Sequence, residues 1–135
     1  VERARSGEAI LFVSNDVVAE MDSVPRRPEL TRRYSHLTAQ RVDAFVKDVR
    51  SFAVHIAAPP KIFALPRDSK DEPYIDLAVA ADASYLVTWN DRHLTYLMRK
   101  DTPEGVEFCR KFPALTIVTP PVFVQATTPS APPAP

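Results

Sequence analysis

The stretch from Arg67 to Leu94, RDSKDEPYIDLAVAADASYLVTWNDRHL, restricts the fold of this chain more than any other. Asp68, Asp71 and Glu72 crowd ahead of Pro73. Proline is tolerated where a helix begins, because the amide it lacks would have no intrahelical partner there. Between Tyr74 and Ala83, the residues Ile75, Leu77, Ala78, Val79 and Ala81 are apolar almost all round, the pattern of a buried helix. Tyr85, Leu86 and Val87 then form a short apolar run of strand type, stopped by Trp89, Asn90 and Asp91. A strand that follows a helix at this distance implies an α/β unit, whose ligand crevice lies past the strand end. Carboxylates at a helix start and polar groups at a strand end are neighbours in such a unit.

The 135 residues suffice for one domain with a real core. Formal net charge is zero, so any nucleic-acid surface must be local rather than a global basic field. Two glycines argue against a Gly-rich phosphate loop. The single Cys109 excludes an internal disulfide and fits a reducing compartment, so the cytoplasm is expected. No apolar run is long enough to span a bilayer, and no membrane partner is expected. The chain opens on Val1 rather than Met, and reads as a fragment or a processed product.

In chain order, VERARSGEA is the end of a helix, with Gly7 as its C-terminal stop. Ile10 to Val13 is a buried strand. Ser14 caps a helix with Val17, Val18 and Met21 on one side and Asp16 and Glu20 on another, and Pro25 and Pro28 end it. Thr38 caps the next helix, in which Val42, Phe45, Val46, Val49, Phe52 and Ala53 recur at helical spacing. Val54 to Ala57 is a short strand candidate. After the central stretch come a helix with Leu94, Leu97 and Met98, a second helical piece from Pro103 to Phe112, and a last strand from Leu115 to Val118. Pro120 to Val124 is a turn or a single helical turn. Residues 126–135 hold only Thr, Pro, Ser and Ala and read as a disordered tail, leaving 1–125 as the domain.

Chemistry concentrates in Glu20, Asp68, Asp71, Glu72, Asn90 and Asp91. Hard divalent cations such as Mg²⁺ prefer carboxylate oxygens, and a metal site with acids from separate elements suits phosphodiester hydrolysis. Each residue also has a plain reading. Asp71 or Glu72 ahead of a helix gains about 0.3–1 kcal/mol from the helix dipole with no metal involved, and Glu20 fits a solvated helix face. Arg26, Arg27, Arg32 and Arg33 suit either phosphates of RNA or water. Trp89 offers a face on which a base can stack, or a core or rim aromatic. His93 fits a surface or hydrogen-bonding role near the site, and Cys109 a small apolar residue.

The same stretch, with SNDVVAEMDSV before it and FPALTIVTPPVFV after it, resembles the PIN-domain family, most closely the VapC-type toxins of toxin–antitoxin systems. The resemblance covers Val1 to Gln125. It implies an α/β class, a three-layer α/β/α sandwich around a mainly parallel sheet, and a ribonuclease dependent on Mg²⁺ or Mn²⁺. Carried onto this chain, Glu20 matches the helix acid and Glu72 the acid opening the later helix, with Asp68 and Asp71 able to share that metal-binding role. Asn90 falls where many relatives carry Asp, and Asp91 lies beside it. RNA is the implied substrate, with the four arginines holding its backbone. An antitoxin protein and a homodimer are the implied partners.

One part of the family pattern is missing. Members begin with a central strand that ends in Asp-x-Asn, followed by a helix of which only VERARSGEA has a counterpart here. The chain therefore reads as N-terminally incomplete, lacking the first central strand and its Asp. Unpaired backbone on both neighbouring strands is the expected consequence. The leading expectation is an endoribonuclease that is inactive as this chain. The alternative is a non-catalytic PIN remnant that binds RNA or an antitoxin without cutting.

Overall fold

The computed structural model describes residues 1–64, 69–90 and 92–128. Contacts divide the chain into two compact units, Val1–Ile62 and Phe63–Pro135.

The first unit begins with α1 (Glu2–Arg5), which ends where Gly7 takes a positive φ of 84°. That conformation costs glycine least, and it lets the Glu8 amide reach back to the Arg3 carbonyl at 2.8 Å. Arg5 joins α1 to the long helix that follows Thr38, pairing with Asp48 and stacking over Phe52 at 5.6 Å. Strand β1 (Phe12–Val13) is shorter than its apolar run suggested, and Ile10 is 73% exposed rather than buried. Ser14, 1% exposed, ends the strand and caps α2 (Asn15–Ser23), its hydroxyl accepting from the Val17 amide at 3.2 Å. Helix α2 ends ahead of Pro25, as expected, while Pro28 opens another helix, α3 (Pro28–Arg33). The position that makes proline a helix breaker is interior; at the first turn its fixed φ is helical already. Thr38 caps α4 (Ala39–Phe52), accepting from Arg41 at 3.2 Å, and Val42 and Val49 carry its buried stripe. Strand β2 (Val54–His55) pairs in parallel with β1, Phe12 opposite Val54 and Val13 opposite His55.

In the second unit, α5 (Glu72–Ala80) leads through a tight turn to β3 (Tyr85–Val87). Asp82 takes a positive φ of 52° in that turn, a conformation Asp and Asn accept more readily than other side chains. The expected helix with Leu94, Leu97 and Met98 is a 3₁₀ turn, Thr95–Met98. Then come α6 (Pro103–Lys111), β4 (Thr116–Val118) and α7 (Pro120–Thr127), which is longer than the single turn expected and continues past Gln125. Of the stretch read as a tail, 129–135 lie outside the described residues. Strands β3 and β4 pair in parallel with Leu86 opposite Ile117. Ile75, Ala78, Leu94, Tyr96, Leu97, Phe108, Leu115 and Ile117 form the core, and Phe63, Phe108 and Phe112 contact one another edge-on or tilted at 5.3–5.8 Å. Cys109, half-buried, points its thiol at the Leu97 carbonyl, in keeping with a packing role.

The class is α/β with parallel pairing, as the sequence implies; among the described residues the strands form two pairs, one in each unit.

Gly105 stands under a close approach that no side chain can share. A Cβ there would lie 1.8 Å from the Arg99 carbonyl oxygen and 2.9 Å from the Thr102 hydroxyl that caps α6. Gly105→Ala should destabilise the protein by about 1–3 kcal/mol, the cost of overpacking, measured by urea unfolding. Wild-type stability in that variant would contradict the packing described.

Candidate functional site

Polarity of the chain sets the geometry in the second unit. Because α5 runs back antiparallel to β3, the helix begins at the level where the strand ends. Asp71 is the N-cap of α5, but its carboxylate makes no capping hydrogen bond to the helix amides. It turns instead toward the strand end, where Asn90 Nδ2 donates to Asp71 Oδ2 at 2.8 Å across 19 residues of chain. Its side chain is only 16% exposed.

Asn90 ties the turn together with every polar group it has. Its backbone amide donates to Thr88 Oγ1 at 3.0 Å. Its side-chain oxygen accepts from the His93 amide at 3.2 Å, and its carbonyl accepts from Leu94 and Thr95 at 3.1 Å each. His93 Nδ1 lies 4.0 Å from Asp71 Oδ2, so an imidazolium would pair with that carboxylate. Asp71, Asn90 and His93 therefore form one cluster at the rim of the second unit.

Of the predicted site residues, the structure joins Asp71 and Asn90 and sets Glu72 next along, on the first turn of α5. It is Asp71 rather than Glu72 that meets Asn90. Asp68 and Asp91 lie outside the described residues. Glu20 sits half-buried in the last turns of α2, in the first unit. Arg26 is engaged within the protein: its guanidinium donates to Asp22 Oδ1 at 2.9 Å and to Asp43 Oδ1 at 2.5 Å. Those bonds, Asp22 first and then Asp43, raise its pKa and keep it cationic. Arg27 is exposed at the start of α3, and Arg32 and Arg33 are exposed in its last turn, with Arg33 over the Tyr34 ring at 5.5 Å.

Sequence reasoning passed over Asp76. It is 4% exposed, inside the apolar face of α5 and one turn beyond Glu72. A carboxylate that deep is costly unless partnered, and its place in the run YIDLAVA was the available signal. His93 was noted only as a surface or hydrogen-bonding residue near the site; its distance from Asp71 depends on the turn that Asn90 braces.

The donors at this rim are hard oxygens of the kind Mg²⁺ and Mn²⁺ favour. Among the described residues, however, no three Asp, Glu, His or Cys side chains gather into a metal-holding group.

An α/β chain in which a helix start meets a strand end has its ligand crevice at that end of the sheet. The family model described as PIN domain matches residues 1–92, and the chain belongs to the PIN-domain family. Comparison with curated proteins gives no match, nor does comparison with solved structures. Membership brings a nuclease-type function, RNA binding, and the family's general use of divalent metal ions. No helix among the described residues is long and apolar enough to cross a membrane.

If Asn90 braces the rim, Asn90→Ala should remove the acceptor for the His93 amide and the donor to Asp71. Such a loss amounts to about 1 kcal/mol. Hydrogen exchange at the His93 amide should accelerate about fivefold or more, while amides of α4 stay unchanged. Equal protection in both proteins would refute the brace.

Proposed function

We propose that this chain is an RNA-directed PIN domain of endoribonuclease type, working with Mg²⁺ or Mn²⁺, whose acidic rim in the second unit is the reacting end. The Asp71–Asn90 hydrogen bond is the observation that supports the reading most, because it joins a carboxylate at the helix start, next to the family-matched Glu72, to the polar strand end. Asp71 and Glu72 are the proposed cation ligands of that rim, with Asp68 and Asp91 as further candidates from the sequence. Asn90 has its side-chain groups bonded to Asp71 and to the His93 amide, so its proposed role is to hold the carboxylate in place. Glu20 is proposed as a site acid on the family motif alone. A bound divalent ion would supply charge neutralisation at phosphorus and an activated water.

The arginines of α3 are the proposed phosphate contacts. Arg26 has a weaker claim than Arg27, Arg32 and Arg33, since two carboxylates already hold it. The likeness to VapC-type proteins supports a toxin role in a toxin–antitoxin pair, with an antitoxin protein and a second copy of the chain as partners and the cytoplasm as compartment.

A second reading, RNA or antitoxin binding without cleavage, is favoured by one observation: Asn90, where many relatives carry Asp, is an amide already bonded to Asp71 and to the His93 backbone.

Labelled single-stranded RNA incubated with Mg²⁺, with Mn²⁺ and with EDTA tests both. Any cleavage should require the metal, vanish in EDTA, and fall about tenfold or more in Asp71→Asn. Cleavage that survives EDTA contradicts the metal dependence, cleavage that survives the substitution removes Asp71 from the reacting rim, and binding with no turnover under either metal selects the second reading. Arg27→Ala and Arg32→Ala should each weaken RNA binding and reduce the salt slope of log K by about 0.7, one single-strand phosphate contact apiece. Unaltered slopes would remove those arginines from the interface.

A further inference from the structure

Trp89 is the sole tryptophan of the chain, and it is 71% exposed. An indole in water leaves a large apolar face unburied, whereas tryptophan is on average a highly buried residue. Its absence from the core is not a matter of a loose loop. The Thr88 amide on one side donates to the Val118 carbonyl at 2.8 Å, and the Asn90 amide on the other donates to Thr88 Oγ1 at 3.0 Å. The backbone is pinned on both flanks of Trp89, and the ring makes no hydrogen bond or ring contact among the described residues. A rigid backbone that presents a bare aromatic face has already met much of the ordering cost of binding.

We infer that Trp89 is a stacking platform for one unpaired nucleobase of single-stranded RNA, placed next to the Asp71–Asn90 pair so that the base fixes the strand at the acidic rim. The inference rests on the RNA reading above and deepens it by naming the residue that receives a base. Stacking on an aromatic face is tolerant of sequence but demands an unstacked base, which a duplex does not offer. Asn90, adjacent in the chain, carries the hydrogen bond to the rim carboxylate, so platform and rim share one turn. Trp89 is thus a specificity residue, selecting single-stranded over paired RNA.

Because Trp89 is the only tryptophan, its fluorescence reports this site alone. The full chain is titrated in EDTA, where cleavage is suppressed, with a fluorescein-labelled single-stranded octanucleotide and with the same sequence annealed as a duplex. Anisotropy reads binding and tryptophan emission reads stacking. We expect saturable quenching by the single strand, little by the duplex, and an affinity loss for the single strand of about tenfold or more in Trp89→Ala. Trp89→Phe should retain most of the affinity, and circular dichroism should match wild type in both variants. Anisotropy that rises while emission stays constant overturns this inference and leaves the RNA reading standing, as does unchanged affinity in Trp89→Ala. No rise in anisotropy for either RNA overturns both. An emission shift with protein concentration and no RNA would assign the indole to a contact between copies, and would also overturn the inference.

Discussion

A hydrogen bond between the amide of Asn90 and the carboxylate of Asp71 fixes how the second unit presents its chemistry. One partner begins a helix and the other follows a strand, and the antiparallel course of α5 and β3 obliges the two ends to meet. The apolar residues of α5 make the arrangement rigid: Ile75 and Ala78 pack with Leu94, Leu97 and Phe108 beneath the rim. A carboxylate acceptor makes the bond stronger than a neutral pair would. It also draws Asp71 away from the capping position, where its neighbours in sequence would ordinarily hold it.

Most of the elements could be read in the chain because their signals are local. Gly7, Ser14 and Thr38 act at helix ends through their own backbone or the next turn, and YLV forms β3 with the bounds its apolar run gives. Signals that depend on distant parts of the fold were less legible. Pro28 reads as a stop or a start depending on whether a helix follows, and here α3 does. Ile10 is apolar and adjoins β1, yet nothing in its own neighbourhood says that it is exposed. Leu94, Leu97 and Met98 fit a helical spacing, but the Leu97 amide donates to the Leu94 carbonyl and the Arg99 amide to the Tyr96 carbonyl, the three-residue steps of a 3₁₀ turn.

The candidate site divides in the same way. An acidic helix start beside a polar strand end follows from topology and was expected. Which acid turns inward does not follow, since Asp71 and Glu72 are adjacent and only the position of Asn90 separates them. Asp76 was hidden by its surroundings, a charge read as part of an apolar helix. Arg26 was grouped with three other arginines by proximity in sequence, while the fold brings Asp43 against it from α4. Family membership supplies the general chemistry, and the rim around Asp71 and Asn90 is where we propose that it is carried out.

Paramagnetic broadening by Mn²⁺ in a proton–nitrogen NMR spectrum addresses the rim most directly. At substoichiometric metal, the Asn90 side-chain amide and the His93 backbone amide should broaden first, and the selectivity should disappear in Asp71→Asn. Uniform broadening over the surface, or the same selectivity without the Asp71 carboxylate, would contradict the claim that this carboxylate, held by Asn90, is where the protein receives a cation.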